Sequence, residues 1–336
     1  MGAEHTLPGE ESGGGWTTRP WWAAARRTFW TVFGLLTLVL IVRLGSEWDW
    51  AGAFETLKRV PAVVLGPALV CAAAAHLLYA GYELLGRPMA PPRRRVGEKP
   101  VAIRWMLAVG FVSFAFKLNL GTVVGGVALR YRLYERLGLR IDEITRILGA
   151  SVLTNWLGYV ALAGLILLAH PPVLPEGWGP GLHALRLIGL VMLASAVAYA
   201  LACWRAEGRE WHWGRHALRL PSARIALLQL GISALHWLLT AAVCWLMLRQ
   251  QVDFVSVLNA LLASAVAGLI THVPGGLGVL EAVFIGLLQS RVPQADLLAA
   301  LLGFRAIFYL LPLAVAVVLF FVIDRKREVA PIPTGR

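Results

Sequence analysis

The sequence predicts an all-α polytopic integral membrane protein. Of its 336 residues, 58% are hydrophobic and only 15% are charged, whereas a soluble domain has roughly 25% charged residues. Several apolar runs reach the ~20 residues that a helix needs to cross a bilayer. Two of these runs are interrupted by glycine and proline, and the interruptions decide how often we expect the chain to cross.

The predicted membrane domain covers 28–325, between a Gly-rich polar tail at 1–27 and a short tail at 326–336. The first apolar run, about 28–45, lacks a small-residue cleavage site. We therefore interpret it as a retained span and not as a signal peptide. Five further full spans are expected at about 61–85, 147–169, 182–203, 225–248 and 297–323.

Two breaks interrupt long apolar segments. The first break, KLNLGTVVGGVALRYRLY at 117–134, contains Gly121, Gly125 and Gly126. The second break, THVPGGLGVLE at 271–281, contains Pro274, Gly275, Gly276 and Gly278. Proline lacks the amide hydrogen of a helix and glycine permits positive φ, so helices should stop there. Because broken backbone in lipid is tolerated only where protein buries it or where it lines a cavity, both breaks are predicted functional sites.

The distribution of positive charge predicts the topology, since cytoplasmic loops collect Lys and Arg. If 101–129 crossed the membrane once, the arginines that follow it would lie outside. If it enters from the cytoplasm and returns, and 256–290 does the same from outside, most of the 31 Lys and Arg residues lie inside. Both termini are then cytoplasmic.

This arrangement gives about six full spans plus two re-entrant broken-helix hairpins. It also divides the domain into two halves of inverted topology, about 28–170 and 182–325. Interrupted segments at matching places in two halves are typical of transporters with a site near the bilayer midplane. The alternative is eight to ten plain spans, some of them short and tilted.

Other classes of protein are not favoured. The net charge of +12 is explained by cytoplasmic loops, and no nucleic-acid motif accompanies it. The three cysteines lie in apolar runs without paired spacing, so we expect neither disulfides nor metal sites from Cys71, Cys203 and Cys244. We find no catalytic triad, nucleotide-binding glycine motif or paired catalytic carboxylates, and therefore expect no catalytic residues, cofactor or metal.

The sequences PGGLGVLE at 274–281, GGVALRYRLY at 125–134 and RAIFYLLP at 305–312 resemble the lysylphosphatidylglycerol synthase transmembrane (flippase-like) family. The resemblance extends over about 28–325. It implies a bacterial inner-membrane protein that acts on lipids and moves one between leaflets. Full-length synthases of the family carry a soluble aminoacyl-transfer domain after the membrane part. This chain stops after DRKREVAPIPTGR, so we expect the membrane module alone, acting as a transporter and not as an enzyme.

Glu281 and Arg305 are the strongest candidate site residues. Glu281 follows the second break in the first helical turn, where free amides favour an anion, and an acid at membrane depth is costly. It faces a polar or cationic headgroup or couples to protons, or it pairs with Arg305 and locks the hairpin, and both hold if lipid binding competes for Arg305. Arg305 suits bidentate binding of a lipid phosphate, and Tyr309 at i+4 would share its face.

Three residues of the first break have two interpretations. Arg130 and Arg132, with Tyr131 between them, either capture lipid phosphate at the cytoplasmic face or anchor the hairpin by ordinary positive-inside placement. The sequence slightly favours anchoring.

Lys117 and Asn119, just before the first glycine, either bind a headgroup or cap the broken backbone. His272 precedes the proline of the second break and has no second ligand at i+4, so we predict a hydrogen-bonding role and not a metal site.

We therefore predict flippase-like transport of a phospholipid or related polar lipid, with membrane phospholipids as partners. One alternative is a membrane-embedded accessory factor or enzyme of lipid synthesis, for example of hopanoids or glycolipids. Another is a scaffold that binds lipid without moving it.

Overall fold

The computed structural model describes residues 55, 58, 60–86, 101–172, 174, 181–206, 210–213 and 216–325. All of them belong to one compact unit, Trp48–Arg336. The predictions for the tail at 1–27, the first span at about 28–45 and the tail at 326–336 lie outside the described residues.

The described chain is almost wholly helical. Its helices are α1 (Ala62–Gly86), α2 (Ile103–Leu120), α3 (Leu129–Arg136), α4 (Ile141–Ala169), α5 (Leu182–Arg205), α6 (Ala223–Met247), α7 (Phe254–Thr271), α8 (Val279–Leu288), α9 (Gln294–Arg305) and α10 (Leu311–Asp324). A π-helix, Thr122–Ala128, precedes α3, and another, Ala306–Leu310, joins α9 to α10.

Within these ranges, seven helical stretches are long and apolar enough to cross a bilayer, with Gln294–Asp324 counted as one. The prediction of an all-α polytopic membrane protein is confirmed.

The loop between α5 and α6 contains an element that we did not predict. Strands β1 (Glu210–Trp213) and β2 (His216–Arg219) pair as a short antiparallel hairpin. Each strand has only four residues. Hydrophobic alternation over so few residues does not reveal a strand in an arginine-rich loop.

The first break reverses the chain. Helix α2 ends at Gly121, whose φ of 84° suits glycine. A Cβ at Gly125 would lie 2.3 Å from the carbonyl carbon and oxygen of Phe116. In a continuous helix these positions would be about 13 Å apart along the axis. The π-helix and α3 therefore fold back against α2.

The second break also reverses the chain. Helix α7 ends at His272 in left-handed conformation (φ 53°), and a 3-10 turn, Pro274–Gly276, leads into α8. Helix α8 packs back along α7. That these two segments are re-entrant hairpins in two halves of inverted topology stays a prediction.

A polar cluster joins the two ends of the second hairpin. Asp253 accepts hydrogen bonds of 2.8 Å from the Ser256 amide and hydroxyl, and Arg291 Nη1 donates to Asp253 Oδ2 at 3.3 Å. Partial burial by itself raises the pKa of Asp253. The bonds from Ser256 and the nearby Arg291 guanidinium outweigh it and hold that pKa below the usual 3.8. Chain entry and exit therefore lie side by side.

Helix α1 is the central element and packs against α2, α4 and α6. Its contact with α2 is close because of Gly110. A Cβ there would lie 2.7 Å from Glu83 Cγ and 3.0 Å from the Ala80 backbone. This approach places Glu83, fully buried, against the start of the first hairpin.

Candidate functional site

The two breaks contact each other through backbone atoms. A Cβ at Gly275 would lie 3.3 Å from the carbonyl oxygen of Leu118 and 3.5 Å from that of Asn119. Asn119 Nδ2 also donates to the carbonyl of Tyr309, at 3.2 Å. We call this meeting of α2, the second break and the last span the junction, defined by Leu118, Asn119, Gly275 and Tyr309.

Glu281 and Arg305 form a buried ion pair beside the junction. Arg305 Nε donates to Glu281 Oε1 at 2.6 Å and Nη2 donates to Oε2 at 3.1 Å. The Gly278 amide donates to the same Oε2 at 2.9 Å. Arg305 also donates to the carbonyls of Gly275 and Gly276, at 2.9 and 3.0 Å. One arginine thus satisfies two carbonyls that the break leaves without helical partners.

These contacts bear on the interpretation of Glu281. Both of its carboxylate oxygens are bonded within the protein, and the residue is only 5% exposed. In this structure it pairs with Arg305, and a role toward a headgroup stays a prediction. The guanidinium carbon of Arg305 lies 5.2 Å from the Tyr309 ring centroid, so the two residues share a face as predicted.

A second buried ion pair supports the first break. Arg130 Nε donates to Glu83 Oε1 at 2.9 Å, and its Nη2 lies 2.8 Å from the same oxygen. Tyr134 donates to Glu83 Oε2 at 2.7 Å, and Arg130 Nη1 donates to the Gly126 carbonyl at 3.0 Å. The first break thus has an arginine bound to one of its carbonyls, the second has an arginine bound to two, and in each a buried glutamate neutralises the arginine.

The burial of Arg130 differs from our expectation. We expected Arg130 and Arg132 together at the cytoplasmic surface, but Arg130 is only 1% exposed. The difference arises from Glu83, which the sequence analysis missed. An acidic residue inside the predicted span at 61–85 was the available signal, because such residues are costly and usually paired.

Lys117 lies next to both breaks and is half-buried. Its aliphatic chain packs against Gly126, where a Cβ would lie 3.5 Å from Lys117 Cγ. Its ammonium donates to the Tyr79 hydroxyl at 3.3 Å and lies 5.3 Å from the Tyr79 ring centroid. Among the residues that the structure describes, no carboxylate lies within ion-pair distance of Lys117.

Three other predicted site residues have partners outside the junction. Arg132 Nε and Nη2 each donate to the Asp324 carboxylate at 3.0 Å, and about half of the Arg132 side chain is exposed. The hydroxyl of Tyr131 is bonded to that of Thr145 at 2.7 Å. The exposed His272 donates from Nδ1 to the nearby Ile270 carbonyl at 3.0 Å. The described ranges contain no group of three or more residues placed to hold a metal.

Comparison with known proteins gives the family. The family described as Lysylphosphatidylglycerol synthase TM region matches residues 29–316. The inner membrane protein YbhN of Escherichia coli is 37% identical over 312 residues, covering 93% of this chain and 96% of YbhN. The uncharacterized protein slr0712 of Synechocystis is 30% identical over 215 residues, covering 62% of this chain and 65% of that protein.

The phosphatidylglycerol lysyltransferase of Staphylococcus haemolyticus is 32% identical over 92 residues, covering 26% of this chain and 11% of the lysyltransferase. The family match spans both breaks, both buried ion pairs and the junction. The chain therefore belongs to the lysylphosphatidylglycerol synthase TM region family, and it is a multi-pass membrane protein related to lipid metabolism.

Proposed function

We propose that this protein moves a polar lipid between the two leaflets of a bacterial inner membrane, with both termini in the cytoplasm. The observation that carries the proposal is the backbone contact between the two broken segments at Gly275 and Leu118. In transporters, broken helices that meet near the midplane form the site where a polar group passes the hydrocarbon layer.

The junction offers what a headgroup needs at that depth. A polar headgroup in hydrocarbon loses its hydrogen bonds to water, so it requires polar partners along its path. Lys117 and Asn119 supply such partners next to the contact, and neither is fully buried. Because Arg130 binds a carbonyl of the first break and Arg305 binds two carbonyls of the second, the broken backbone is held in shape before a lipid arrives.

The comparisons support the membrane and the class of substrate. YbhN is named as an inner membrane protein. The lysyltransferase relative is named for phosphatidylglycerol. In the proposed arrangement, 101–129 is a re-entrant hairpin that opens to the cytoplasm and 256–290 is its inverted counterpart. A headgroup would then pass from one hairpin to the other at the junction.

A translocation assay in liposomes tests the proposal. The purified protein is reconstituted with a trace of headgroup-matched fluorescent phospholipid in both leaflets, and dithionite bleaches the outer leaflet. We expect lipid to cross faster than in protein-free liposomes, so that the protected fraction falls with time.

Two asparagine variants locate the activity. Asn119→Leu removes the side-chain bond that ties α2 to the last span, and we expect it to slow translocation. Asn259→Leu is the matched control, because Asn259 also donates to a distant backbone carbonyl, that of His170, away from the junction. Translocation no faster than in empty liposomes would refute the function, and equal rates in both variants would refute the junction as its site.

Orientation has its own test in a variant without native cysteines. We expect a cysteine at the exposed Gln294 to react with a membrane-impermeant maleimide from outside, and a cysteine at Arg325 only after the membrane is opened. The reverse pattern would contradict the proposed topology.

A further inference from the structure

The charge balance around the two breaks identifies the class of lipid. Apart from the exposed Arg132, which is paired with Asp324, the described charged side chains there are Glu83, Lys117, Arg130, Glu281 and Arg305. Glu83 and Arg130 form one ion pair, and Glu281 and Arg305 form the other. Each pair sums to zero, so the set carries one net positive charge, on Lys117.

The two buried histidines near Lys117 do not add charge. His76 Nδ1 donates to the Ala72 carbonyl at 2.9 Å, and its other ring nitrogen, Nε2, is buried without a hydrogen-bond partner. A proton on Nε2 would put a charge and an unpaired donor in an apolar site, which is strongly unfavourable. His236 Nδ1 likewise donates to the Ala75 carbonyl, at 3.0 Å, among aromatic rings. Both rings are therefore neutral.

Helix ends offset only part of the Lys117 charge. Lys117 lies in the last turn of α2, where the helix carboxyl end supplies roughly half a negative charge. The Tyr79 hydroxyl accepts a hydrogen bond from the Lys117 ammonium. A cation left without a full countercharge inside a membrane is costly, and an anionic ligand removes that cost.

We infer that the substrate lipid carries one net negative charge, with its phosphate or other single anionic group bound by Lys117. This inference rests on the proposed function and narrows it. A zwitterionic headgroup brings its own positive charge to a site that already has an excess of one. A cationic headgroup adds to that excess, and no described carboxylate at the junction is free to receive it.

Headgroup competition tests the inference. Translocation is measured for three lipids with identical acyl chains and label: phosphatidylglycerol (net negative), phosphatidylethanolamine (zwitterionic) and lysylphosphatidylglycerol (net positive). We expect phosphatidylglycerol to move roughly tenfold faster than either of the others, since one unbalanced charge a few ångströms away easily supplies that factor. Lys117→Arg should keep this preference, Lys117→Met should abolish it, and Lys117→Glu should favour the cationic lipid.

The outcomes separate the two proposals. Movement of none of the three lipids would refute the proposed function. Movement of the zwitterionic or cationic lipid as fast as phosphatidylglycerol would overturn the inference and leave the function standing. An unchanged preference in a folded Lys117→Glu variant would also overturn it. If that variant does not fold, the comparison of three lipids on the native protein still decides.

Discussion

Replacement of Gly125 by alanine should separate the two arms of the first hairpin. The added methyl carbon would lie 2.3 Å from the Phe116 carbonyl carbon and oxygen and 2.4 Å from the Lys117 amide nitrogen, whereas ordinary contacts begin near 3.4 Å. These are backbone atoms that no rotamer change can move. The arms must therefore part by about 1 Å, and overpacking of this kind typically costs about 1–3 kcal/mol.

The adjacent glycine provides the control. The three atoms nearest to an alanine methyl at Gly126 would be Lys117 side-chain carbons, the closest at 3.5 Å, which is an ordinary contact. Alanine is also a better helix former than glycine, by up to about 1 kcal/mol. Gly126→Ala should therefore leave stability unchanged or raise it slightly, although it alters the same Gly-Gly pair.

The thermal midpoint in detergent, followed by tryptophan fluorescence, measures both effects. We expect Gly125→Ala to lower the midpoint clearly and Gly126→Ala not to. Translocation in liposomes should fall in the first variant alone, because the first break would no longer present Lys117 in place. Equal midpoints in the two variants would refute the close approach of the arms at Phe116.

Three further predictions concern charged groups. Glu83→Gln leaves Arg130 buried without a countercharge and should lower the unfolding free energy by about 3–5 kcal/mol. Denaturation in mixed micelles measures the loss, and a change within error would contradict the buried ion pair. Arg305→Met should lower the unfolding free energy by a similar amount. Adding Glu281→Leu should restore only part of that free energy, because two carbonyls of the second break stay unbound. Full restoration in the double-mutant cycle would show that those bonds contribute nothing. The folded-state pKa of Asp253 is below 3.8, so its contribution to stability is present above that pH and is lost as the pH falls through the folded pKa. The difference in thermal midpoint between the native protein and Asp253→Asn should therefore shrink between about pH 6 and about pH 3. A constant difference would refute the assignment.

Sequence patterns predicted the helices well because the signal is local. Runs of apolar residues long enough to span a bilayer placed α1, α4, α5 and α6 within a few residues, apart from the polar first turns of α4. In α4 the amide of Arg140 donates to Glu143 at 3.1 Å, so the helix begins before its apolar run. The Gly-Gly pairs and Pro274 located both breaks, because proline and glycine act on their own backbone.

The two ion pairs show where sequence reasoning ended. Glu281 and Arg305 could be paired in advance because each belongs to a recognisable segment, the second break and RAIFYLLP in the last span. Glu83 and Arg130 could not, because their meeting depends on the close approach of α1 and α2 at Gly110. That approach is set by packing between helices, which periodicity does not encode. The contact of Gly275 with Leu118 is likewise a backbone contact between distant segments.

The spacing of Glu83 and Arg130 also bears on how the protein enters the membrane. The acid precedes its partner by 47 residues, so α1 is synthesised well before the arginine that neutralises it. An unpaired acid in the hydrocarbon layer costs about 2.5–3.5 kcal/mol on insertion scales. Glu83 lies near the end of α1, where it can stay at the membrane surface while translation continues. We therefore expect α1 to reach its final depth only after the first hairpin has been made, when Arg130 can neutralise the acid.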